Sequence, residues 1–158
     1  MTMKKLFILL IVVCLWNMKA DAQNYTTAIG LRGGWGTGVS IKQSLNSSNS
    51  VEGIVDSRWH GLSVTGLYEI HKQAFDTDRL NWYYGFGAHI GFWDGDYYRD
   101  YNNKNNYTVI GADGILGLEY NFRDIPFNIG IDWKPVINLT GSSGFYGDGG
   151  ALSIRYIF

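Results

Sequence analysis

Between Leu80 and Trp93 the chain alternates so regularly that extended backbone is the conformation able to use the pattern. One set of positions holds Leu80, Trp82, Tyr84, Phe86, Ala88, Ile90 and Phe92, and the set between them holds Asn81, Tyr83, Gly85, Gly87, His89 and Gly91. Successive side chains of a strand point to opposite faces. One face is therefore broad and aromatic, and the other is thin and mostly polar.

The same split recurs along the chain. Tyr25 to Trp35 sets Ile29 and Leu31 against Thr26, Ala28, Gly30 and Arg32, and Gly38 to Leu45 sets Val39, Ile41 and Leu45 against Ser40, Lys42 and Ser44. Further segments run from Ser50 to Arg58, Gly61 to His71, Tyr107 to Phe122, Phe127 to Pro135 and Gly149 to Phe158. Ile54 and Leu67 are apolar exceptions on the polar side. Clusters of Asn, Asp, Gly and Ser separate the segments, as turns do. The count is eight strands, joined by connections of hairpin length with no room for crossover helices. This predicts an all-β fold, an eight-stranded antiparallel up-and-down β-barrel.

Which face lies inside decides the environment. Eight strands enclose an interior only just wide enough for side chains. Rows such as Trp82-Tyr84-Phe86 and Leu116-Leu118-Tyr120-Phe122, repeated round the barrel, overfill it, whereas glycines beside a few long charged groups fit. The expected barrel is inside out and transmembrane, with Arg32, Lys42, Glu69, Asp113, Glu119, Asp132, Lys134 and Arg155 in its lumen. With Arg58 among the bases and Glu52 and Asp56 among the acids, five basic groups meet six acidic ones. Burial requires such near-neutral pairing. A narrow lumen favours a structural plug of ion pairs over a conducting pore or gate. Membrane strands need about 9–11 residues, which several segments reach. Aromatics such as Trp35, Trp82, Phe92, Phe122 and Trp133 gather near the predicted strand ends, where interfacial girdles form. The competing arrangement is a soluble secreted barrel that turns its aromatic face inward round an apolar ligand.

The first 22 residues stand apart. Lys4 and Lys5 precede an apolar run from Leu6 to Trp16, and Ala20-Asp21-Ala22 forms a small-x-small cleavage site. Residues 1–22 are expected to be a signal peptide and 23–158 the barrel domain. The apolar run is short of the roughly 20 residues a spanning helix needs. Cys14, the single cysteine, lies inside it behind a bulky Val13, a poor context for lipid attachment. The expected mature chain has no thiol for disulfides, thiolate metal sites or nucleophilic catalysis. Cleavage also removes Lys4, Lys5, Lys19 and Asp21, leaving ten basic and thirteen acidic residues and a net charge of −3. Without a basic excess, no nucleic-acid partner is expected.

Over 23–158 these features resemble the small eight-stranded outer-membrane barrels of the OmpA transmembrane domain and OmpX type. The most specific element is the end, Leu152-Ser-Ile-Arg-Tyr-Ile-Phe158, which alternates and finishes on Phe; the opening Ala28-Ile-Gly-Leu-Arg-Gly-Gly-Trp35 is also family-like. The resemblance implies an outer-membrane location, contact with outer-membrane lipid, and a last strand read by the outer-membrane assembly machinery at Tyr156 and Phe158. It implies that both ends face the periplasm, with turns at 45–50, 72–79 and 123–126. Residues 36–38, 59–61, 94–106 and 139–148 then face outward. The connections at 36–38 and 59–61 are very short, so the long protruding strands of adhesin-like relatives are missing.

Only 94–106 and 139–148 are long enough to engage an extracellular partner. In the first, Tyr97, Tyr98, Arg99 and Tyr101 stand among Asn and Asp, a mixture suited to surface recognition. Asp94, Asp96 and Asp100 match part of a calcium loop, but its glycine and closing Glu are absent. Family members also include lipid A acyltransferases and deacylases, which combine His, Ser and a carboxylate. Here His60 and Ser63 fall on opposite strand faces, His71 lies near Glu69, and His89 sits among glycines. No catalytic, cofactor-binding or metal-ligating residue is assigned. The leading expectation is a non-enzymatic barrel with a structural or surface-interaction role, ahead of a lipid-modifying enzyme.

Overall fold

The computed structural model describes residues 27–58, 61–93, 107–141, 143–147 and 149–158. Its strands are β1 (Thr27–Gly34), β2 (Thr37–Ser44), β3 (Asn49–Arg58), β4 (Gly61–Gln73), β5 (Leu80–Trp93), β6 (Tyr107–Asn121), β7 (Phe127–Trp133), β8 (Val136–Asn138), β9 (Gly144–Tyr146) and β10 (Gly150–Ile157). β1 to β6 pair in sequence, β6 pairs with β7, β7 with β10, and β10 with β1, all antiparallel. The barrel closes with eight staves, because β8 continues the line of β7 against β6, and β9 continues that of β10 against β8. At the seam, Thr27 N donates to Phe158 O at 3.1 Å and Phe158 N to Thr27 O at 2.9 Å. That end is called the lower end below.

All eight predicted segments match a strand within two residues at either end, and Leu80–Trp93 is reproduced whole. The segment at 127–135 stops at Trp133, because Pro135 has no N–H to give the ladder. Pairing resumes at once as β8. On the neighbouring stave, Lys134 N donates to Gly149 O at 2.8 Å, and the Trp133 indole Nε1 donates to Gly147 O at 2.5 Å. The stretch expected as an open loop at 139–148 is therefore shorter. β8 and β9 form a hairpin whose connection is 139–143, with Gly141 at φ 81°. The lower turns close over 45–48, 74–79 and 122–126.

Burial runs opposite to that of a soluble barrel. Among the described residues, fifteen buried side chains are polar or charged and seven are apolar, while the exterior carries Leu31, Phe86 and Leu152 at 64–65% exposure. A small apolar layer does lie within. Ile54, Leu67, Tyr83 and Ile115, from β3, β4, β5 and β6, pack together on one wall. The two exceptions to the alternation, Ile54 and Leu67, are thus interior residues in their expected parity. Gly117 makes room for this layer: a Cβ there would stand 2.6 Å from Tyr83 Cζ.

Candidate functional site

The charged interior divides into two groups. In the upper one, the Arg32 guanidinium grips both oxygens of Asp132 through its two terminal nitrogens. Bidentate pairing of this kind suits a buried arginine. Tyr83 Oη donates to Asp132 at 3.3 Å. Lys134 Nζ lies 3.1 Å from Asp113 Oδ1 and 3.4 Å from Thr65 Oγ1. His89 Nδ1 faces Asp113 Oδ2 at 2.9 Å, and its Nε2 faces Asn138 Oδ1 at 3.1 Å.

The lower group centres on Lys42. Its Nζ is 2.8 Å from Glu69, 3.3 Å from Glu119 and 3.6 Å from Glu52. Antiparallel register sets Lys42 directly opposite Glu52. Arg155, 1% exposed, reaches across the lumen to Glu52 Oε1 at 2.6 Å, past Gly30 to Ser40 Oγ at 3.0 Å, and to its cross-strand neighbour Asn128 Oδ1 at 3.3 Å. His71 stands between Glu69, 2.9 Å from Nε2, and Glu119, 3.2 Å from Nδ1. It pairs across strands with Tyr83, and the two rings stack at 5.1 Å. Lys42 Nζ also sits 4.2 Å from the Tyr83 ring centre, a cation–π contact. Tyr83 links the two groups, its ring in the lower one and its hydroxyl in the upper.

Arg32, Lys42, Glu69, Asp113, Glu119, Asp132 and Arg155 are buried in the interior, and Lys134 is half-buried towards the upper mouth. Arg58 and Asp56 are half-buried at that mouth, where Arg58 lies 4.7 Å over the Trp35 ring. They help line a recess of about 70 Å³ there, together with Arg32, Lys134 and Tyr146. Sequence reasoning set His71 near Glu69 and His89 among the lumen glycines, but it did not join Tyr83 to the charges or pair His71 with Glu119 and His89 with Asp113. Parity was the available signal, since each occupies an inward position.

Tyr156 and Phe158 stand on the exterior, 48% and 63% exposed, in an aromatic row with Phe127. Stacked Trp82 and Tyr84, beneath Lys72, and the edge-on pair Tyr120 and Phe122 continue the aromatic character of the lower half. Tyr97, Tyr98, Arg99 and Tyr101, like His60, fall outside the described residues. Among those that are described, no group of three or more His, Cys, Asp or Glu side chains is arranged to hold a metal ion. Around the three glutamates, Lys42 already occupies the centre.

No protein-family model and no curated protein matches the chain. A solved structure does. The N-terminal β-barrel domain of OprF from Pseudomonas aeruginosa aligns with a TM-score of 0.66 over 86% of this chain and 98% of that domain, at 15% identity. The chain thus shares the closed eight-stranded fold of an OmpA-like barrel domain.

Proposed function

We propose that this chain is an integral outer-membrane β-barrel without catalytic activity, plugged by its own ion pairs, with a structural or surface-interaction role. The observation that carries the reading is the inverted burial. A belt of exposed Leu, Ile, Val and aromatic side chains surrounds buried arginine, lysine and carboxylates. In water such a belt would be a contiguous apolar surface far larger than soluble monomers expose. In lipid it is matched to its solvent, and closure leaves no unpaired barrel edge in the hydrocarbon. The OprF-like fold supports the outer membrane as the destination. Export then uses residues 1–22, and assembly reads Tyr156 and Phe158. The paired charges fill the middle of the lumen, and the recess at the upper mouth holds about two waters' volume. Any extracellular partner meets the 94–106 loop with Tyr97, Tyr98, Arg99 and Tyr101, or the 136–146 hairpin.

The test is fractionation followed by a denaturing gel with and without boiling. Recovery in the outer-membrane fraction with a mobility shift on boiling is the expected result. A soluble product with no shift would overturn the reading. Reconstitution into planar bilayers tests the plug separately, with no steady conductance expected.

A further inference from the structure

We propose that His71 is held as an imidazolium between Glu69 and Glu119, so that the lower interior group stores one proton and acts as a pH-sensitive latch on that half of the barrel. The argument begins with hydrogen-bond donors. His71 Nε2 is 2.9 Å from Glu69 Oε2, and Nδ1 is 3.2 Å from Glu119 Oε1. Nε2–Glu69 has hydrogen-bond geometry, and Nδ1 faces Glu119 at ion-pair distance. Because an ionised carboxylate only accepts and a neutral imidazole has a single N–H, presenting a donor to both takes both ring protons. His89 supplies the contrast. Its Nδ1 faces Asp113, but its Nε2 faces the Asn138 amide, which can turn to present oxygen or nitrogen. A neutral ring satisfies that site.

Charge leads to the same result. The groups facing His71 are Glu69 from β4, Glu119 from β6 and the stacked ring of Tyr83 from β5. Behind them stand Lys42 from β2, Glu52 from β3 and Arg155 from β10, while the Asp132 that meets Tyr83 is neutralised by Arg32. Lys42 and Arg155 against Glu52, Glu69 and Glu119 leave one negative charge over, which the imidazolium cancels. The competing place for the proton is the Glu52–Glu69 carboxyl pair, whose Oε2 and Oε1 have no other hydrogen-bond partner among the described residues; held there, it would leave His71 with a single ring N–H. Proton exchange has a route as well. The side chains of His71 and Glu119 are 10% and 8% exposed, against 0% for Glu52, Glu69 and Arg155. Losing the proton leaves an uncompensated buried charge and loosens the lower interior.

The experiment uses the folded full chain. Ring ¹⁵N resonances of His71, identified by their loss in His71→Gln, are recorded near pH 7, and heat-unfolding midpoints are followed from about pH 6 to about pH 10, a window spanning imidazole titration. The expected result is two protonated ring nitrogens and a midpoint that falls by several degrees as pH rises. Glu69→Gln balances the group without the proton, so its midpoint should stay level. His71→Gln should start lower and also stay level. A ring with one protonated nitrogen at pH 7, or a Glu69→Gln midpoint that falls as steeply as that of the natural chain, overturns the proposal. Should Glu69→Gln fail to fold, the ring resonances of the natural chain decide alone.

Discussion

Arg155 shows what a single buried charge does in this interior. It holds Glu52 at 2.6 Å, Ser40 at 3.0 Å and Asn128 at 3.3 Å, so three strands besides its own depend on one guanidinium. Removing it leaves Glu52 with Lys42 at 3.6 Å, which Glu69 and Glu119 share. Arg155→Ala is expected to cost about 3–5 kcal/mol, the usual penalty for stranding a buried charge. Urea titration of the folded protein measures it. Adding Glu52→Leu should recover part of the loss, because the stranded carboxylate goes with it. The membership of this network was legible in the sequence, since parity along each strand sends Lys42, Glu69, Glu119 and Arg155 inward. The partners were not. Lys42 meets Glu52 by cross-strand register, but Arg155 reaches Glu52 across the lumen, a contact created by closure.

The broken staves are the irregular elements. β7 ends before Lys134 and Pro135, and β10 begins after Gly149; between these breaks and the 139–143 connection runs the β8–β9 hairpin. Pairing of Val136, Ile137 and Asn138 with Tyr146, Phe145 and Gly144 holds it together, and pairing with Gly111, Ala112 and Asp113 holds it to the barrel. The indole bond from Trp133 to Gly147 braces its foot. Trp133→Phe keeps the ring and deletes the donor. Amide hydrogen exchange at Ile137 and Phe145 should quicken several-fold, as expected for losing a net bond of about 1 kcal/mol, with β2 to β5 unchanged. Equal protection in the variant would show that the brace does nothing. Sequence reading missed the hairpin because Gly141, Gly144, Gly147 and Asn138 look like loop residues, and three-residue strands are too short to show a period. It found the long strands because many residues, as in Leu80–Trp93, repeat the same choice.

At the scale of the whole molecule, the inverted burial turns depth along a strand into an energetic coordinate. Phe86 lies at the centre of β5 and is 65% exposed, while Phe92 lies near its upper end and is 48% exposed. Both point outward, so in water an arginine at either position would be a surface substitution of little consequence. In a bilayer the two separate. Phe86→Arg should lower the free energy of folding into lipid vesicles by about 2–4 kcal/mol, because the guanidinium is carried to the midplane, whereas Phe92→Arg should cost about 0–1 kcal/mol near the interface. Urea titration in vesicles measures both, and detergent-free buffer is the natural control. A gradient from the end of β5 to its middle places the apolar belt in hydrocarbon. Two equal, small effects would place the same belt in water or against another protein, and the buried charges would then be the interior of something other than a membrane barrel.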